Sequence, residues 1–411
     1  MKKFIKKSII LIINSFIFFL KFFIKKKNNY LIFSSGDTFS GNPKYLYLYC
    51  SNEKNLNCYW FSGNRKIINY LKSKKLKTVY RWSIKAIYLT LISKYFFISS
   101  GTKNICEYKI TKDTEVINLW HGTPIKKIFY DEKKTDIEFI NHLKNHLNSF
   151  NHFITGSENL IDQFKNSIRN PNIILHPFGM PANDILYRSK EDLNFKDIII
   201  NKIKNQFSID QNQKIILYCP THRDYFEDYD INYLNSFYKK ILIFCEDNNF
   251  ILLNKFHPLR IPTIDPIIYK NEFFLDITSY DDIQEFLIST DLLITDYSSV
   301  IFDYSILEKP FILFQYDIEK YSDRREFYYS WDIFPTEITY KTEDLIQKIN
   351  QNKFFDNDKN ITFYKNFNIG DNSCKRILEK FFSKKIDQSN FYEKKYDLIR
   401  DIKLINRDNI Y

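Results

Sequence analysis

Short apolar runs alternate with helix-like segments along most of this chain. Runs at 30–36, 57–61, 78–80, 95–98, 115–119, 153–155, 173–177, 214–219, 250–255, 273–276, 292–295 and 311–314 are too short for buried helices and end at turns of small or polar residues. Runs of that kind read as strands buried on both faces. Between them, segments at 67–71, 84–91, 138–150, 279–286 and 300–307 carry helical signals. Asn42-Pro43 starts a further helix with proline in its first turn, and Ser279 is placed to cap the one that follows it. The alternation predicts an α/β fold with mostly parallel sheets.

The stretch 291–317 organises the rest. Its first strand, 292–295, breaks at Asp296-Tyr297-Ser298-Ser299, a helix follows over 300–307, and a second strand runs from 311 to 314. Two adjacent hydroxyls at a helix start can cap it, and the free N–H groups there make a seat for an anion such as phosphate. In such βαβ units, ligands sit beyond the carboxyl ends of the strands. An ordinary crossover with a serine cap has the same spacing, so the other strand ends decide between the two readings.

Three strand ends carry candidate chemistry. The run 115–119 leads into Trp120-His121-Gly122-Thr123-Pro124, then Lys126 and Lys127. A histidine at a strand mouth, beside a glycine that leaves room, suits a general base acting on an alcohol; a buried histidine satisfied by a carbonyl has the same local pattern. The run 214–219 leads into Pro220-Thr221-His222-Arg223-Asp224, where arginine can grip phosphate oxygens through two parallel bonds and Thr221 can add a third. His257-Pro258-Leu259 follows the run at 250–255, and the charged, aromatic run 321–331 reads as a loop able to close over a ligand. His142, His146 and His152 lie close together, but no HExxH surrounds them and no metal site is expected.

Composition narrows the picture. Glycine is scarce, at 8 of 411 residues, and neither GxGxxG nor GxxxxGK[ST] occurs, so a nucleotide would be held by helix ends and side chains. The 6 cysteines are scattered without a CxxC pair, which suits a reducing compartment better than a disulfide framework or a structural zinc. The formal charge of +11 favours polyanionic neighbours, but eight lysines and no acid fall within residues 1–27, around the apolar run 9–20. That run is shorter than the about 20 residues of a membrane span, and Asn14, Ser15 and Lys21 interrupt it. Residues 1–28 therefore read as a basic, apolar helix lying on an anionic membrane surface. A first domain over 29–190, a polar and irregular boundary around 187–213, a second domain over 191–385 and a charged helical tail over 386–411 complete the expected organisation.

Four fingerprints in this order carry a resemblance: WHGTP (120–124), CPTHRD (219–224), HPL (257–259) and ITDYSSVIFDYSILEKP (294–310). Over about residues 30–384 the chain resembles the CDP-glycerol glycerophosphotransferases, the primases and polymerases of teichoic-acid and capsule synthesis. The resemblance implies a GT-B architecture of two Rossmann-like domains facing across a cleft, with acceptor bound mainly by the first and donor by the second. By matched motif, His121 is the implied catalytic base, joined by His257. Trp120, Gly122, Thr123 and Pro124 flank the donor, and Pro220, Thr221, Pro258, Leu259, Ser298, Ser299 and Asp303 contact it; Arg223 joins them on its own chemistry. Ala182 stands where the family often has arginine, so one phosphate contact is missing or is supplied by another basic residue. His222 stands where a bulky side chain such as tryptophan is common, which changes how the donor packs there.

The implied reaction moves a polyol phosphate, glycerol phosphate foremost, from CDP-glycerol or CDP-ribitol to a hydroxyl of a lipid-linked or polymeric glycan, with release of CMP, at the cytoplasmic face of the membrane. No cofactor is implied, and the need for Mg²⁺, the choice of polyol, the number of units added and the oligomeric state stay open. A glycosyltransferase of the same architecture would use the same histidine and phosphate seat with a nucleotide sugar. A non-catalytic polyanion-binding protein rests on charge alone, and no stacking motif points to nucleic acid.

Overall fold

The protein is described from a computed structural model covering residues 2–20, 22–133 and 136–382; the expected tail at 386–411 lies outside them. Two compact units emerge. Among the described residues, one comprises 2–20, 22–121, 136–184 and 372–382, and the other comprises 122–133 and 185–371. Two segments thus depart from a division by sequence order: 122–133 folds with the second unit, and 372–382 returns to the first.

The first unit holds a sheet of seven strands: β1 (Lys27–Ser34), β2 (Asn57–Ser62), β3 (Thr78–Tyr80), β4 (Ser93–Ile98), β5 (Glu115–Asn118), β6 (His152–Ile154) and β7 (Ile174–His176). They lie in the order β3-β2-β1-β4-β5-β6-β7 and every pair is parallel. The central strands are apolar because helices cover both faces. Phe33 of β1 stacks on Phe97 of β4 at 5.0 Å, and Phe39 meets Trp60 of β2 edge-on at 4.7 Å. Helices begin where the polar signals fall: the Asn64 side chain accepts from the N–H groups of Lys66 and Ile67, and Ser83 accepts from Ala86.

A helix at Lys2–Leu20 precedes this sheet. It buries Ile17 and leaves Leu11, Ile12, Phe16, Phe18 and Phe19 exposed, while Asn14 Oδ1 accepts from the Lys109 N–H at 2.7 Å. Among the described residues, no helix is long and apolar enough to cross a membrane. At the other end of the chain, the helix Ser373–Phe382 is fixed by the Asp184 carboxylate, which accepts from the N–H groups of Ser373 and Cys374. Its Phe381 covers Tyr95, Phe97, His152 and His176.

The second unit repeats the plan with β8 (Lys214–Cys219), β9 (Phe250–Asn254), β10 (Phe274–Asp276), β11 (Leu292–Thr295), β12 (Phe311–Phe314) and β13 (Ile338–Thr339), in the order β10-β9-β8-β11-β12-β13, again all parallel. Its core gathers Tyr218, Phe237, Tyr238, Leu252 and Phe314. In both sheets the strand order reverses beside the first strand, at β1/β4 and at β8/β11. Crevices of this kind are where α/β sheets bind ligands.

Several local expectations change. The region 187–213 is not irregular: it forms helices at Asp184–Glu191 and Leu193–Phe207, because Phe195, Ile199 and Ile203 recur at helical spacing and are buried. Ser279 caps nothing, since the helix forms only at Gln284–Ser289, around the fully buried Phe286, Leu287 and Ile288. The helix after Ser299 is just Val300–Tyr304, continued by a 3₁₀ turn at Ser305–Leu307. The two-residue edge strand β13 has too little apolar sequence to stand out.

Candidate active site

In the first unit, β5 runs out through Leu119 into Trp120 and His121. Trp120 takes a positive φ of 55°, rare for a bulky residue, and this bend turns the chain sharply. Hydrogen bonds hold it: the Trp120 N–H donates to Asn118 Oδ1 at 2.8 Å, and Asn42 Nδ2 donates to the carbonyls of Leu119 and Trp120, both at 3.0 Å. The same Asn42 accepts from the Ala182 N–H at 2.9 Å, tying the turn after β5 to the one after β7. Sequence reasoning saw Asn42 only as a helix start, because its burial and its bonds to Leu119, Trp120 and Ala182 are tertiary facts.

His121 is exposed, with its ring against the buried Trp120 at 4.0 Å and its Nδ1 3.4 Å from the Ser99 carbonyl. With Nδ1–H donating to that carbonyl, Nε2 carries the lone pair, as a proton acceptor needs. The alternative reading, a buried histidine, does not hold for this side chain.

In the second unit, the turns after β8 and β11 meet. The Thr221 N–H donates to Asp296 Oδ1 at 2.8 Å, and Arg223 lies buried beneath both turns. Its guanidinium donates to Asp296 Oδ2 at 3.0 Å, to both Asp317 oxygens at 2.6 and 2.9 Å, and to the Thr221 carbonyl at 2.6 Å. Tyr297 and Tyr321, stacked at 4.0 Å, close over it. The sequence-based role for Arg223 as a phosphate grip is therefore corrected: two carboxylates and a carbonyl already occupy its fork. It positions the site from below.

The remaining candidates are distributed as follows. Gly122 has a φ of +140°, and a Cβ there would come within 3.3 Å of Ser299 Oγ, so the strap 122–133 lies against the Asp296-Tyr297-Ser298-Ser299 turn. Thr123 and Pro124 are buried in the strap, whose far end pairs antiparallel with 326–328 through Lys126–Phe327 and the bonds Lys127 N–H to Glu326 O and Tyr328 N–H to Ile125 O. The run 321–331 is thus the strap's partner instead of a free lid. Ser298 and Ser299 are half-buried; Ser298 Oγ accepts from the Val300 N–H at 3.3 Å, while Ser299 caps nothing with its side chain. Asp303 is half-buried in the short helix that follows, and Pro220 is buried. His257 is exposed, as are Pro258 and Leu259. The Leu259 N–H donates to His257 Nδ1 at 3.3 Å, and the His257 ring packs on His222 at 4.6 Å. Burial, then the charge of Lys126, pushes His222 down to about 4, so it is neutral near pH 7. Among the described residues no cluster of histidine, cysteine or carboxylate could hold a metal ion, and all 6 cysteines are free.

Two parallel-sheet α/β units, each with polar turns at strand ends, make a GT-B-like fold. The chain belongs to the CDP-Glycerol:Poly(glycerophosphate) glycerophosphotransferase family, whose pattern matches residues 15–383. It is 28% identical over 401 residues to the teichoic acid poly(glycerol phosphate) polymerase of Bacillus spizizenii, covering 91% of this chain and 97% of that one. It is 31% identical over 278 residues to the teichoic acid glycerol-phosphate primase of Bacillus subtilis, covering 65% of this chain and 67% of that one. Its fold matches that of the wall teichoic acid polymerase TagF with a TM-score of 0.72 at 23% identity, over 87% of this chain and 89% of that one. The protein is accordingly a phosphotransferase acting on a CDP-activated polyol.

Proposed function

We propose that this enzyme transfers glycerol phosphate from CDP-glycerol to a hydroxyl of a lipid-linked or polymeric glycan at the cytoplasmic face of the membrane. The observation that carries the reading is the family match over 15–383, with its fingerprints at the ends of β5, β8, β9 and β11. The acceptor oxygen attacks the β-phosphorus, the bond from that phosphorus to the bridging oxygen breaks, and CMP leaves. Such a transfer depends mainly on positioning and on neutralising charge. His121 takes the hydroxyl proton through Nε2, a step typically worth ~10²–10⁴-fold in rate. Ser298 and Ser299 donate hydroxyl bonds to the diphosphate; with a following helix of just five residues, these hydroxyls carry the contact more than the helix dipole does. His257, through Nε2–H, adds a further donor, and Thr123, Pro124, Pro220, Pro258, Leu259 and Asp303 of the same unit surround the donor.

The helix Lys2–Leu20 is proposed to rest on the anionic membrane surface: its exposed Leu11, Ile12, Phe16, Phe18 and Phe19 suit the acyl boundary, and the neighbouring lysines suit acidic headgroups. The test of the whole reading is CMP release from CDP-glycerol and CDP-ribitol over a panel of lipid-linked acceptors. Hydrolysis of UDP- or GDP-sugars in place of either CDP-polyol would overturn it.

A further inference from the structure

Five basic side chains lie on or beside the strap 122–133 in the second unit. Arg223 is held by Asp296 and Asp317, Arg325 by Asp224 at 2.7 Å and Glu132 at 3.3 Å, and Lys127 and Lys133 each by Glu326 at 3.5 Å. Lys126 differs: among the described residues its ammonium makes no hydrogen bond or ion pair. Yet the residue is half-buried, and burial pushes its ammonium down to about 8, with Asp296 opposing that shift and Arg325 and Arg223 adding to it. Asp296 makes no hydrogen bond or ion pair to it, since Oδ1 accepts from the N–H groups of Thr221 and Tyr297 and Oδ2 from Arg223, although its charge and that of Asp224 favour the ammonium. A partly buried cation without an ion-pair partner is a cost to the fold, and at a functional site it marks a place prepared for an anion.

Two neighbours point the same way. Thr221 Oγ1, on the turn that Asp296 holds, is buried with no hydrogen-bond partner among the described residues. Gly122, on the same strap four residues before Lys126, lies against Ser299. We infer that Lys126, together with Thr221 Oγ1 on the turn held by Asp296, holds the diphosphate of the CDP-polyol donor. This rests on the proposed reaction and adds the basic contact that Ala182 and the inward-turned Arg223 do not provide. The lysine charge balances the diphosphate as the CMP phosphate gathers electrons from the breaking bond.

The test is calorimetric binding of CDP-glycerol and of cytidine to the full chain and to Lys126→Gln, Lys126→Met and Lys126→Arg. Loss of one charge-assisted hydrogen bond predicts about 10- to 100-fold weaker CDP-glycerol binding for Gln and Met. Cytidine affinity stays unchanged, thermal unfolding does not move to lower temperature, and Arg recovers most of the loss. CDP-glycerol affinity untouched in Lys126→Gln and Lys126→Met, or an equal loss for cytidine, would overturn the inference alone. Wild-type protein that binds neither CDP-glycerol nor CDP-ribitol would instead sink the proposed reaction and this inference with it.

Discussion

Replacing Arg223 with methionine separates two roles that the sequence left entangled. The guanidinium is 2% exposed and satisfies the carboxylates of Asp296 and Asp317, whose side chains are 2% and 10% exposed. Methionine fills a similar volume but leaves two buried carboxylates facing each other without a cation. Removing one partner of a buried ion pair typically costs about 3–5 kcal/mol. For a unit of this size each kcal/mol moves the midpoint by ~2–4 °C, so the second unit's transition should fall by roughly 6–20 °C in scanning calorimetry. The first unit, with its own core, should melt where it does in the wild type. A shift below about 2 °C, on the same scaling, would refute the argument. If that small shift came with loss of CDP-glycerol binding, Arg223 would be a phosphate contact after all.

Other outcomes follow from the same geometry. His121→Ala should cut turnover by ~10²–10⁴-fold with CDP-glycerol binding mostly retained; equal losses of binding and rate would argue against a base. The Ser298→Ala/Ser299→Ala double variant should lose about 1–3 kcal/mol of donor affinity, measured by titration, with a smaller effect on acceptor KM. His176 is lowered to about 4, first by burial and then by the charges of His152 and Lys380. The unfolded chain takes up that proton below about 6.5, so the stabilisation is complete above that pH and fades as pH falls toward 4, by at most about 3 kcal/mol. Denaturant unfolding at pH 7 and pH 4.5 should show the fall, and His176→Gln should reduce it.

Most of the architecture was legible because the signal was local. A buried parallel strand is a short apolar run wherever it occurs, and twelve of the thirteen strands fall on such runs. The helices at 184–207 were missed because asparagine, lysine and aspartate dilute their apolar stripe, which only the spacing of Phe195, Ile199 and Ile203 reveals. Within the site, the fingerprints found the turns but not how each side chain is used. Arginine in a strand-end turn has the same sequence whether it faces a ligand or two carboxylates, and Asp296 and Asp317 lie 73 and 94 residues from Arg223. Lys126 was visible only as one of two lysines after the WHGTP fingerprint; its lack of an ion-pair partner is a tertiary fact.

Among the described residues, the first unit receives its last helix, Ser373–Phe382, only after all of 185–371 has been made. At ~5–20 residues per second that is a wait of roughly 10–40 s on the ribosome. During that time Tyr95, Phe97, His152 and His176 lack Phe381 as cover. The amino-terminal sheet is therefore finished last, and a nascent polypeptide stalled before residue 372 displays a bare aromatic face that chaperones and proteases can recognise.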